Sequence, residues 1–145
     1  MERPDENWYW PLFGKGWDAF GAGGRPLRAP LPEVKEGQLL ARVDAFTVCA
    51  SDAKMIRLGT EYPLFKGRDL RANPAILGHE LALTVAKAGP GMEKEWPAGM
   101  RLGIQPDIYL NGERHCIGVT VPGGMQQYLL LDERVFRSDH GCAAF

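Results

Sequence analysis

The stretch NPAILGHELA, residues 73–82, sets an imidazole and a carboxylate side by side, His79 then Glu80, directly after an apolar run. A metalloprotease helix of the HExxH kind needs a second His four residues on, so that both rings face one metal. Leu83 stands there, and that reading fails. The other candidate donor is Cys49, in VCASD (48–52), where a thiol is followed by Ser51 and Asp52. A thiolate and an imidazole on neighbouring strand ends suit Zn²⁺, which takes S and N ligands at about 2.0–2.3 Å in a tetrahedral shell. Glu80 or a later residue would add a third ligand and leave the fourth position open to water or substrate. Asp52 would accept a hydrogen bond from the His79 ring nitrogen not used by the metal, fixing its tautomer. Ser51, beside the open position, would pass a proton. Spacing by itself leaves a second reading open, since a thiol at a strand end is commonly a small core residue. A lone His is commonly a surface or satisfied core side chain.

The elements that must position these residues read as strands. QLLARVDAF (38–46) has the β-rich, roughly alternating pattern of a central strand. SDAKMIRL (51–58) reads as a short helix capped by Ser51 or Asp52, with Met55 and Ile56 as its apolar side. A loop follows over 59–74. ELALTVAKAG (80–89), RLGIQPDIYL (101–110) and MQQYLLLDERVF (125–136) read as further strands, the last opened by Gly123 and Gly124. The first 32 residues are broken repeatedly by Pro and Gly. Within them WYWPLF (8–13) is at most a short or edge strand, because Pro11 donates no ladder hydrogen bond. GKGWDA (14–19) fits GxGxxA, but a dinucleotide fingerprint needs a helix starting there. Gly21, Gly23, Gly24 and Pro26 break any such helix, so the stretch reads as a Gly-rich loop. The expectation is one mainly β domain over 1–145 with short helices: a Gly/Pro-rich segment over 1–32 and a barrel-like core over 33–136.

Composition narrows the function classes. The 145 residues are 45% apolar and 24% charged, ordinary globular values, and 18 Gly with 11 Pro suit many short strands joined by turns. A net charge of −1 makes no electrostatic case for nucleic acid or an anionic membrane. No run of 18 apolar residues exists, and MERPDENWYW has no signal-peptide apolar region. Cys49, Cys116 and Cys142 are an odd number at wide spacing, which is no disulfide framework and points to a reducing cytoplasm.

Taken together and in order, VCASD, GHE, PAGMRLGIQP and PGGMQQYLLL resemble the medium-chain, zinc-dependent alcohol and polyol dehydrogenases, from about Gly37 to Phe136. LRANPAILGHE with IQPDIYLNGE is most similar to the branch that contains L-sorbose-1-phosphate reductase. The resemblance implies a GroES-like, partly open β-barrel. It implies Cys49 and His79 as zinc ligands, with Glu80 a ligand or the support of one. It also implies Ser51 as a proton relay and Asp52 as the partner of His79. NAD or NADP would accept hydride in the complete enzyme, from a small polyol, sugar or sugar phosphate.

Departures from the family pattern are Ala50 for Gly, Lys54 where a relay His often stands, and Leu83 where Gly is frequent. The family's four-Cys structural lobe is reduced to Cys116, and a His115–Cys116 metal site is not expected. The family continues into a Rossmann domain, so this chain alone is expected to be inactive, with its uncovered apolar face open to self-association. The alternative is a stand-alone, non-catalytic GroES-like binding module. A zinc-free reductase would lack the set of Cys49, Ser51, Asp52 and His79. Arg57, Lys66, Arg68 and Arg71 around the 59–74 loop are either a contact for a substrate phosphate or a solvated basic face.

Overall fold

The computed structural model describes residues 4–145. Its longest ladder joins two nine-residue strands, β4 (Leu39–Thr47) and β6 (Glu80–Ala88), in antiparallel register. Leu39 lies opposite Ala88 at one end and Thr47 opposite Glu80 at the other, with bulges at Leu40/Ala41 and Val43/Ala45. β10 (Tyr128–Leu131) pairs on the far side of β4, and β7 (Arg101–Gly103) on the far side of β6, giving the order β10-β4-β6-β7. Three two-stranded ladders surround this sheet. β1 (Glu6–Tyr9) pairs β3 (Leu27–Pro30), β2 (Pro11–Leu12) pairs β5 (Ala75–Ile76), and β8 (Asp107–Leu110) pairs β9 (Glu113–Cys116). The ladders wrap the core without joining into one continuous sheet among the described residues, which is the partly open barrel expected.

Packing explains why one end of the long ladder is free for chemistry. At the Leu39 end, Leu39, Leu40 and Ala41 are all fully buried, and Leu83 and Val85 of β6 face the same core as Leu129 and Leu131. Each such Leu or Val side chain contributes on the order of 1.5–3 kcal/mol by leaving water. From Asp44 onward β4 is exposed, so the Thr47–Glu80 end projects out of the core. A second cluster sits beside that end. It is built on α1 (Ala50–Leu58), whose buried Asp52, Met55 and Ile56 fall on one face at helical spacing. Met55 and Ile56 pack with Leu12, Phe65, Leu70 and Leu77.

Several sequence expectations need correction. The helix begins at Ala50, and its N-cap is Cys49 rather than Ser51 or Asp52. Asp52 instead supplies the returning half of a capping box, accepting the Cys49 N–H at 2.9 Å. Residues 101–110 form two strands, β7 and β8, because Pro106 between them cannot donate to a ladder. Residues 125–136 divide into β10 and a one-turn helix, α2 (Glu133–Phe136), whose N-cap Asp132 accepts the Arg134 N–H. WYWPLF breaks at Trp10 into parts of β1 and β2, and β2 keeps Pro11 on a two-residue ladder. In the 59–74 loop, residues 59–61 and 63–65 are single 3₁₀ turns. No helix starts in GKGWDA, where the only regular structure is the 3₁₀ turn Trp17–Ala19.

Candidate metal centre

Antiparallel pairing brings Cys49 and His79 together. β4 ends at Thr47 opposite Glu80, the first residue of β6. The chain leaving β4 reaches Cys49 two residues later, and the chain entering β6 passes through His79 one residue earlier. Cys49 has extended backbone (φ −91°, ψ 157°) at the start of α1. His79 follows Gly78, whose φ of +89° turns the chain from β5 into β6. Such a φ strains any residue with a Cβ.

The donor atoms of Cys49, His79 and Glu80 all lie within 4.8 Å of one another. A tetrahedral zinc shell with bonds of about 2.0–2.3 Å spaces its ligands about 3.3–3.8 Å apart. The sulfur, nitrogen and oxygen donors therefore fit zinc after a contraction on the scale of a rotamer adjustment. Cys49 and His79 are half-buried and Glu80 is exposed, so the group opens to solvent on one side.

Asp52 closes the other side. Its side chain is buried, and Oδ1 lies 3.5 Å from His79 Nδ1. Oδ1 also accepts the Gly78 N–H at 3.1 Å, and Oδ2 accepts the Cys49 N–H. With Nδ1 turned to a carboxylate, the Nε2 atom of His79 points toward Ser51, whose Oγ is 3.4 Å away. Hydrogen bonds from the Ser51 hydroxyl and backbone N–H, and then from His79, hold the Cys49 thiol below its usual range. That is the direction a metal-binding thiolate needs. The opposite holds at Cys116, where burial and then the neighbouring Asp107 carboxylate push the thiol up to about 11. His115 and Cys116 join no group of three or more donors among the described residues.

The remaining sequence candidates fall elsewhere. Lys54 is on the exposed side of α1. Leu83 is a core residue, fully buried between Val43 of β4 and Leu102 of β7, which makes a Leu rather than a Gly the fitting side chain there. Arg68 is spent on backbone: it donates to Asn73 O at 2.9 Å, to Pro74 O at 2.7 Å and to Val119 O. Arg57, Lys66 and Arg71 are exposed. In place of a cysteine lobe, the β8–β9 hairpin is held at its tip by Asp139, which accepts the N–H groups of Asn111 and Gly112 at 2.9 and 2.8 Å. What the sequence reading missed is Gly78 and the Gly123–Met125 segment that crosses it. Their signal was the Gly-Gly pair itself, read only as a strand opening.

An open cleft of about 1140 Å³ adjoins the site, with Asp52 in its wall. Its surface is aromatic and aliphatic, with Trp8, Trp17, Phe46 and Val48 all at least 40% exposed. Among the described residues, Asp44 and Asp52 are the only charged ones that line it.

The chain is similar to a sorbitol dehydrogenase of Bombyx mori, 28% identical over 115 residues, covering 70% of this chain and 31% of the relative. It is similar also to the L-sorbose 1-phosphate reductase of Klebsiella pneumoniae, 27% identical over 122 residues, covering 81% of this chain and 30% of the relative. The chain thus spans about a third of the length of these curated relatives. The crystal structure of 2R,3R-butanediol dehydrogenase from Bacillus subtilis shares the fold, with a TM-score of 0.71 at 20% identity over 96% of this chain and 40% of that one. The alcohol dehydrogenase GroES-like domain family matches residues 35–138, a span that takes in the turns carrying both Cys49 and His79. The chain accordingly belongs to that family.

Proposed function

We propose that this chain is the metal-binding, substrate-facing portion of a zinc-dependent, nicotinamide-linked alcohol or polyol dehydrogenase. The observation that carries the reading is the gathering of Cys49, His79 and Glu80 donor atoms within 4.8 Å, with Asp52 behind the imidazole. Cys49, His79 and Glu80 would hold the ion. The chemistry zinc supplies at such a site is Lewis acidity toward an alcohol or carbonyl oxygen. Asp52 favours the Nδ1–H tautomer of His79 and leaves Nε2 as the donor atom. Ser51, whose Oγ lies 3.4 Å from Nε2, would take the alcohol proton. The hydride acceptor is NAD or NADP, as likeness to the family supports. No residue of the Gly14–Ala19 stretch is assigned to it, since a three-residue 3₁₀ turn offers no pyrophosphate site.

The cleft beside the site, lined by Asp52 but by none of Cys49, Ser51, His79 or Glu80, supports an uncharged alcohol or polyol over a sugar phosphate. Its charged lining is two carboxylates, and the basic residues of the 57–71 region lie off it, with Arg68 already occupied by carbonyl oxygens. No described helix is long and apolar enough to cross a membrane. Three unpaired cysteines support a reducing cytoplasm. The uncovered aromatic wall supports self-association of the isolated chain.

The test is elemental analysis after equilibration with zinc and removal of excess ion. The native chain is expected to retain stoichiometric zinc, and Cys49→Ala and His79→Ala to lose it. Equal zinc in the native chain and Cys49→Ala would remove Cys49 as a ligand and end this reading.

A further inference from the structure

We propose that Gly123 is a positioning residue for the metal centre: having no side chain, it lets the 123–125 segment clamp the Gly78–His79 turn and set where the imidazole stands. The inference rests on Cys49, His79 and Glu80 being metal ligands. Three backbone hydrogen bonds make the clamp. Gly123 N–H donates to Ile76 O at 2.7 Å, Gly124 N–H to Gly78 O at 2.8 Å, and Met125 N–H to Leu77 O at 2.9 Å. From the opposite side the Gly78 N–H donates to Asp52 Oδ1 at 3.1 Å. Both polar backbone groups of Gly78 are therefore held, its N–H by α1 and its C=O by the clamp. The next residue is His79, so its backbone has little freedom left and the ring position follows from a rotamer choice.

Contact this close needs a residue without a Cβ. A Cβ on Gly123 would stand 2.3 Å from Gly78 O and 2.4 Å from Leu77 O. Both obstacles are main chain, so no rotamer change relieves them. The two segments would have to part by roughly 0.7–1 Å, beyond the ~0.5 Å within which a working ligand constellation must be held. Gly124 differs: its added Cβ would meet mainly the tip of Leu81, a flexible side chain, at 2.1 Å. The displacement from Gly123→Ala falls on the two residues that immediately precede His79.

Cobalt(II), added alone to the metal-free chain and followed by its thiolate and ligand-field absorption, is the probe. Gly123→Ala should bind cobalt at least tenfold more weakly than the native chain and with altered ligand-field bands, at a temperature where circular dichroism shows it folded. Leu129→Ala, in the other core cluster, serves as the stability control. It should lower the melting temperature yet keep native cobalt affinity. If Gly123→Ala does not fold, Gly118→Ala decides by its affinity together with its ligand-field bands, since its Cβ would press on Gly78 N from 3.3 Å on a backbone of φ +83° that also strains the residue itself. Threefold or more weakening in that variant is then the expected result, and native affinity overturns the inference. Native cobalt binding by a folded Gly123→Ala overturns it too, as does equal weakening in Leu129→Ala. A native chain that shows no thiolate–cobalt absorption would instead sink the metal reading itself.

Discussion

Asp52 Oδ1 lies 3.5 Å from His79 Nδ1, and the same carboxylate holds the N–H groups of Cys49 and Gly78. One buried side chain thus ties the two turns that carry the thiol and the imidazole. Asp52→Ala should cost about 2–6 kcal/mol of stability, because the buried Gly78 N–H and the part-buried Cys49 N–H lose a charged acceptor and a donor left unpaired costs about 1–3 kcal/mol. Urea unfolding of the metal-free protein measures it. A loss below about 0.5 kcal/mol, the range of ordinary surface changes, would mean that Asp52 does not hold the turns.

The two partly buried thiols should titrate in opposite directions. Cys49 is lowered by donors from Ser51 and His79, so iodoacetamide should modify it at a lower pH in the metal-free folded protein than in urea. Ser51→Ala should move that profile up. Cys116, pushed from 9.0 to about 11, should be the last to react. The stability consequences follow in sign. The contribution of Cys49 is complete above its unfolded pKa and is lost as pH falls through its lower folded value. That of Cys116 is complete below its unfolded pKa and is lost as pH rises toward about 11. Peptide mass mapping across pH checks both. Alkylation of Cys116 before Cys49 would contradict the geometry.

Arg68 should prove structural. Its guanidinium bonds Asn73 O, Pro74 O and Val119 O and packs 5.9 Å from the Phe65 ring centroid. Desolvation by burial lowers its pKa. Arg68→Ala should destabilise the chain by about 1–3 kcal/mol and speed amide exchange across 66–76, while zinc content stays native. Arg68→Lys should not restore the loss, because one ammonium cannot reach three carbonyls in a planar fork. Native exchange rates in Arg68→Ala would return this residue to the solvated basic face.

Local signals in the sequence carried much of this. The apolar runs 38–46 and 80–89 differ by a residue or so from β4 and β6, because burial of alternate side chains and Gly or Pro breaks are local properties. Residue type was informative at Cys49 and His79, since few side chains bind a soft cation. Some local signals were present and went unread, such as Pro106 inside 101–110 and Asp132 ahead of a helical turn. These are cases where an apolar run concealed a bend.

Tertiary structure alone decided which of those residues meet. Cys49 and His79 are thirty positions apart, and only the pairing of Thr47 with Glu80 sets them side by side. A one-residue slip of that ladder would turn one of the two turns away. The same is true of Asp52 reaching Gly78, of Arg68 consumed by Val119, and of Gly123 lying against Gly78 O. Each depends on a partner far off in the chain. Composition and spacing say what a residue can bond, but the closure of long loops around a shared core determines what lies within reach of it.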